Sequence, residues 1–205
     1  MGTDNRYQNQ CELVTRIARI ATRIVPDDIA GVELRFINSP SSSSFDAQTI
    51  GAAMAAVGPS GGTRIGTNLR EKILKPLIYE PISKKSASNP VPLRRPLLVC
   101  TITDGCPSGE DVDTLHDEIV SCRKKLVDAG YESTVVMFCL SQIGNDRSAM
   151  DFLDTLRKDR KIKDVIYVTT DQLDSKLKDL KSNERQLESW LLHLLTQPIM
   201  EGQEQ

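Results

Sequence analysis

Two loops carry the residue types from which a binding site could be built. Asp104 follows an apolar run, Leu97 to Thr103, and is succeeded by Gly105, Cys106 and a Pro107-Ser108-Gly109 turn. A carboxylate at the carboxyl end of a buried strand occupies the edge that open α/β sheets leave free for ligands. The second loop runs from Gly58 to Gly66, GPSGGTRIG, and sets Gly58, Gly61, Gly62 and Gly66 around Thr63, directly before an apolar helical pattern. Its glycines permit tight turns, and a Gly-rich turn at a helix start is also a way to cradle phosphate. The phosphate loop of nucleotide-binding proteins needs a Lys and then Ser or Thr after its last glycine, whereas Gly62 is followed by Thr63 and Arg64. GxGxxG between a strand and a helix is not matched either.

Other reactive side chains are scattered. Cys11, Cys100, Cys106, Cys122 and Cys139 form an odd set without a CxxC pair, which argues against a disulfide framework and against a zinc site. Cys100 and Cys139 fall in apolar runs and are expected in the core. Cys106 lies in the turn after Asp104, where exposure is expected, but a reactive thiol also needs a lowered pKa. His116 and His193 stand singly on helical patterns with no Ser or Cys partner at a recognisable spacing, so both are expected to be structural.

The elements that must hold the two loops can be read from periodicity. Residues 12–25 place Leu13, Ile17, Ile20 and Ile24 on one helical face, with Arg16, Arg19 and Arg23 on the solvated side, and Pro26-Asp27-Asp28 ends the helix. VELRFIN from Val32 alternates as a strand does. Ser39-Pro40 and serines 41 to 44 make a loop, and Asp46 caps a short Ala-rich helix reaching Val57. After Thr63 a helix carries Leu69, Ile73 and Leu77 inward. Lys84 to Pro96 is a polar, exposed and mobile connector whose Lys84-Lys85 and Arg94-Arg95 pairs are solvated charge.

Leu97 to Thr103 lacks period-2 alternation and suits a strand covered on both faces, at the centre of a sheet. Glu110 and Asp111 open a helix with Val112, Leu115, Ile119, Cys122 and Leu126 in register, stopped by Gly130. Ser133 to Leu140 is a second buried strand. Arg147 to Lys158 is a helix with Met150, Leu153 and Leu156 inward, and Asp164 to Val168 a further strand. Gln172 to Leu195 is helical, broken near Ser182-Asn183, with Trp190 in core packing and residues 196–205 a disordered tail. Strands alternating with helices imply an α/β fold, a parallel sheet with helices on both faces.

The 205 residues suit one domain, 1–205, and neither a repeat nor a change of composition divides them. A net charge of -2 and a pI near 5.8 give no overall attraction for nucleic acid or anionic membrane. No apolar stretch approaches the roughly 18 residues of a membrane span, and the amino terminus has no apolar signal region. A soluble, cytoplasmic protein is the expectation.

Two loops in order, GGTRIGTNLREKIL from Gly61 and TITDGCPSGED from Thr101, resemble those of von Willebrand factor type A domains. QIGNDRSAMDFLDTL, Gln142 to Leu156, and DDIAGVELRFINS, Asp27 to Ser39, are similar to segments of the intracellular branch of that family. The resemblance implies a doubly wound, Rossmann-like, mostly parallel sheet with a metal-ion-dependent adhesion site at its carboxyl edge. The family's threonine ligand corresponds to Thr63 and its aspartate to Asp104, and a bound Mg²⁺ leaves a position for an acidic group of a protein partner. Mg²⁺ takes hard oxygen ligands, commonly one or two carboxylates with several waters.

The family's Asp-x-Ser-x-Ser loop and first strand have no counterpart before residue 12. The expected site is therefore an incomplete set of Thr63 and Asp104, with Mg²⁺ weakly bound or absent, and the expected sheet lacks its first strand. The function implied is a non-enzymatic protein-interaction module. The alternatives are a nucleotide-binding module through Gly58–Gly66, and a hydrolase using Asp104 or Cys106.

Overall fold

The computed structural model describes residues 6–24, 32–39, 42–45, 49–58, 60–83, 93 and 96–203. The fold is α/β, a three-stranded parallel sheet flanked by helices, with a separate two-stranded unit. The amphipathic first helix, α1, is longer than its apolar face suggests, Arg6–Ile24. Leu13, Ile17 and Ile20 are buried, and Arg16 reaches both Glu12 and Glu184. The expected stop at Pro26-Asp27-Asp28 and the cap at Asp46 lie outside the described residues.

Strand β1 is Val32–Arg35, and the serine stretch expected as a loop forms a strand, β2, Ser42–Phe45. The two pair antiparallel, Val32 opposite Phe45 and Arg35 opposite Ser42. Serine has no strong preference for a strand, so the pairing with β1 decides its conformation. The Ala-rich helix α2 is Ile50–Ala56, with Val57 at its end.

The helix after Thr63 differs from an α-helical reading. It starts as α3, Ile65–Leu69, continues as a π-helical segment, Arg70–Tyr79, and closes as α4, Glu80–Ser83. Wider winding changes the face that turns inward. Ile65, Leu69, Leu74 and Ile78 are the buried residues, spaced by four, five and four, while Ile73 and Leu77 are only partly buried beside them. Pro76 sits inside the segment, where it offers no N–H to the helix.

Strand β3 spans Leu97–Thr103, as expected, but it is not the centre of the sheet. The order is β3-β4-β5, with β4 at Val136–Gln142 and β5 at Ile166–Val168, all parallel. β4 is buried at every position, whereas β3 leaves Cys100 exposed and Leu97, Leu98, Thr101 and Ile102 half-buried. Cys100 therefore departs from the expected core assignment, and Cys139, its register partner on β4, keeps it. The physical reason is position: an outer strand has a neighbour on one side only.

Helices α5, Thr114–Asp128, and α6, Arg147–Lys158, join the strands. In α5, Leu115, Ile119, Cys122 and Leu126 are buried, but Val112 precedes the helix and is 59% exposed. Gly130, at φ 80, ends it in a Schellman arrangement: the Tyr131 N–H donates to the Leu126 carbonyl and the Gly130 N–H to that of Val127, both at 2.9 Å. In α6, Asp146 caps the helix by accepting from the Ala149 N–H at 2.8 Å. Ala149, Phe152, Leu153 and Leu156 face the core, and Met150 turns outward.

The last helix is broken as expected, into α7, Leu173–Leu180, and α8, Glu184–Gln203. Helix α8 continues through residues expected as a disordered tail. One apolar cluster joins α3, the π segment, α5 and α6 to one face of the sheet. A second joins α1, α7 and α8 to the other, through Cys139, with Trp190 packed at its margin. The same strands serve both clusters because alternate side chains point to opposite faces.

Candidate functional site

The carboxyl edge of the parallel sheet brings the two expected loops together. Thr103, the last residue of β3, is buried, and its hydroxyl accepts from the Gly105 N–H at 3.3 Å and donates to the Gly105 carbonyl at 2.9 Å. That hydroxyl holds the Asp-Gly turn, a task the sequence allowed Asp104 itself to take. Asp104 follows, half-buried, at the strand exit.

Thr63 is half-buried and belongs to a loop laced to this one. The Thr63 N–H donates to the Ser108 hydroxyl at 2.8 Å, and the Ser108 N–H donates to the Thr63 carbonyl at 3.0 Å. From the other side Asn38, which follows β1, donates through its side-chain amide to the carbonyls of Gly62, at 2.9 Å, and Ser60. The glycine loop is thus fixed between the end of β1 and the loop after β3. Gly61 supplies a left-handed residue to its turn, φ 78.

Gly66 has a different role from the turn residue expected. A Cβ there would lie 2.5 Å from the Leu115 backbone nitrogen, so its lack of a side chain lets α3 meet the start of α5. Glu110 completes the joint. Its carboxylate accepts from the backbone N–H groups of Gly66 and Thr67 at 2.8 Å each, and from the Thr67 hydroxyl at 2.6 Å. Glu110 does not open α5, as its place in sequence suggests, but satisfies the free N–H groups at the start of α3.

Asn38 and Ser108 are residues sequence reasoning did not single out, and Glu110 is one to which it gave another role. Two of them lie inside the Thr101–Asp111 motif, yet nothing local indicates a partner more than 40 positions away. Cys106 is half-buried and packs on the core cluster rather than standing free in its turn. His116 faces Asp117 at 2.9 Å and Asp159 at 3.3 Å, and His193 is exposed on α8.

As a metal centre the donor set is thin. Thr63 contributes one hydroxyl and Asp104 one carboxylate, and among the described residues no group of three or more His, Cys, Asp or Glu gathers. Two oxygen ligands do not fit a complete octahedral shell built by protein. Comparison with protein-family models, with curated proteins and with solved structures finds no match.

Proposed function

We propose that the chain is a non-enzymatic, cytoplasmic protein-interaction module of the von Willebrand factor A type, with a degenerate metal-ion-dependent adhesion site at Thr63 and Asp104. The observation that carries this reading is the reciprocal Thr63–Ser108 pairing, which draws the glycine loop and the Asp104 loop into one braced surface. Helices on both faces of a parallel sheet support the doubly wound architecture that the resemblance implies. The split between a β1–β2 hairpin and a β3–β4–β5 sheet supports the reading of such a sheet without its first strand. Among the described residues no helix is long and apolar enough to cross a membrane.

A partner's acidic side chain accepts from the Thr63 hydroxyl; beside Asp104, itself a carboxylate, it would be held only with a cation between the two. Amide chemical-shift titration with an acidic peptide and millimolar Mg²⁺ tests this. Shifts confined to residues 61–64 and 103–109, lost in Thr63→Ala, are expected; shifts elsewhere only, or none, overturn the reading. Calorimetric titration with Mg²⁺ is expected to show weak or no binding. A submillimolar affinity that disappears in Asp104→Ala would show that the site is complete after all.

Nucleotide binding at Gly58–Gly66 is disfavoured by Glu110. Its carboxylate already takes the Gly66 and Thr67 N–H groups that a phosphate would need, and adds a like charge at the same place. Equilibrium dialysis with ATP or GTP is expected to show no retention. The hydrolase alternative needs a base beside Asp104 or Cys106, whereas the contacts of His116 are to Asp117 and Asp159.

A further inference from the structure

Five cysteines are spread along the chain, and the parallel sheet sets two of them face to face. Cys100 on β3 and Cys139 on β4 are register partners. Partners in a parallel ladder send their side chains to the same face of the sheet. Neighbouring strands lie roughly 4.8 Å apart, which falls within the roughly 4.4–6.8 Å that separates the Cα atoms of bonded cysteines. The two backbones already stand within reach of a disulfide, although no sequence spacing announces the pair.

The two thiols differ in access and in charge. Cys100 is exposed and lines a cleft with Tyr7, Val14 and Leu69, whereas Cys139 is fully buried. Cys100 donates toward Cys139, and this pairing pushes the Cys100 thiol up while it draws the Cys139 thiol down. The Ser141 hydroxyl, 4.0 Å from Cys139 Sγ, adds to the lowering. Once a proton leaves, the charge belongs to the pair, with one sulfur at the surface and the other in the core. Cys122 makes the contrast: it is buried, its thiol is pushed up to about 12, and it keeps its proton.

We propose that Cys100 and Cys139 form a redox-sensitive modification site, which a peroxide oxidises to a disulfide tying β3 to β4. With one proton shared between the two sulfurs, shifting it to Cys139 leaves the charge on Cys100, the sulfur that meets the oxidant. The Cys100 thiolate attacks a peroxide oxygen, an S–O bond forms and the O–O bond breaks. The departing alkoxide or hydroxide takes a proton from water, and Cys100 is left as a sulfenic acid. Cys139 then attacks the Cys100 sulfur. The S–S bond forms, the S–O bond breaks, and the departing hydroxide takes the Cys139 proton and leaves as water. Two thiols are oxidised and one peroxide is reduced, so the electrons balance. Access gives the first step to Cys100, and the lowered thiol gives the second to Cys139.

A disulfide with one exposed sulfur is of the labile kind that small thiols reduce, so the change is reversible. Transient bonds of this sort suit a reducing compartment, where lasting structural disulfides are rare. Neither Thr63 nor Asp104 enters the reaction. Partner binding at the carboxyl edge and oxidation of this pair can therefore fail independently.

The test exposes the reduced full chain to hydrogen peroxide, alkylates the thiols that remain, and maps the unreduced peptides by mass spectrometry. A link between Cys100 and Cys139 of one chain is expected, lighter by two hydrogens than the reduced pair and released by dithiothreitol. The chain unfolded in urea before oxidation is expected to give mixed pairings among its five cysteines, because only the sheet selects this one. Cys139→Ser is expected to stop at a sulfenic acid on Cys100, trapped by dimedone, and Cys100→Ser to leave Cys139 unmodified. Three results in the unmutated folded chain would overturn the assignment: Cys100 carried on to a sulfinic acid while Cys139 stays free, Cys100 linked only to a second chain, or the same mixture of pairings as in urea. Oxidation of Cys139 in Cys100→Ser would overturn the order of the two steps.

Discussion

At the scale of single residues, the joint between α3 and α5 rests on Gly66 and Glu110. With a Cβ only 2.5 Å from the Leu115 nitrogen, Gly66→Ala must push two helices apart. The expected loss is about 1–3 kcal/mol, read as a lower urea midpoint at unchanged slope. Glu110→Ala removes three acceptor contacts from the start of α3 and is expected to cost about 1–2 kcal/mol in the same measurement. An unchanged midpoint in either variant would contradict the joint described here. Neither role is visible locally, since a glycine in a loop and a glutamate before a helix both have commonplace readings.

A buried thiol gives a signed pH dependence. Burial pushes Cys122 from its usual value near 9 up to about 12. Between those values the unfolded chain releases a proton that the native state keeps, so the contribution of this group to stability is constant below pH 9 and falls as the pH rises toward 12. Urea midpoints at pH 8 and pH 10.5 test this, with a smaller decline expected in Cys122→Ala. Burial also raises the Tyr79 hydroxyl, so part of the decline persists in that variant.

At the scale of elements, the helix after Thr63 separates two readings of the same residues. Regular α-periodicity puts Leu69, Ile73 and Leu77 inward; π winding puts Leu74 and Ile78 there instead. Leu74→Ala is expected to cost about 2–5 kcal/mol and Ile73→Ala clearly less. The reverse order, measured by denaturant unfolding, would restore the α-helical register. Apolar residues occur at both sets of positions, so composition does not choose between them.

Strand identity followed the local pattern more faithfully than strand position did. LLVCTIT was recognisable because aliphatic and β-branched residues favour extended chain. Its placement at an edge depends on which neighbour it finds, and among the described residues that neighbour is β4. The serines of β2 show the converse, a strand without strand composition that forms because β1 lies beside it.

At the scale of the whole molecule, two clusters hold the parallel sheet between helical layers, while β1 and β2 form a separate two-stranded sheet. Stability should be uneven as a result. Amides of β4, buried along its whole length, are expected to exchange only through global unfolding, and those of β1 to exchange faster through local opening. Equal protection of residues 32–35 and 136–142 would show the hairpin to be an integral part of the sheet.

By itself the sequence determined the α/β class, the order of most elements, the break before Glu184 and the two loops holding Thr63 and Asp104. Those features depend on side-chain periodicity, glycine and helix signals within a few residues of one another. Only the tertiary structure decided the place of β3 at an edge, the exposure of Cys100, the inward face of the π segment and the bracing of Thr63 by Ser108. Each of these depends on contacts between residues far apart in the chain, and local pattern carries no record of which distant neighbour a strand, a carboxylate or a glycine will meet.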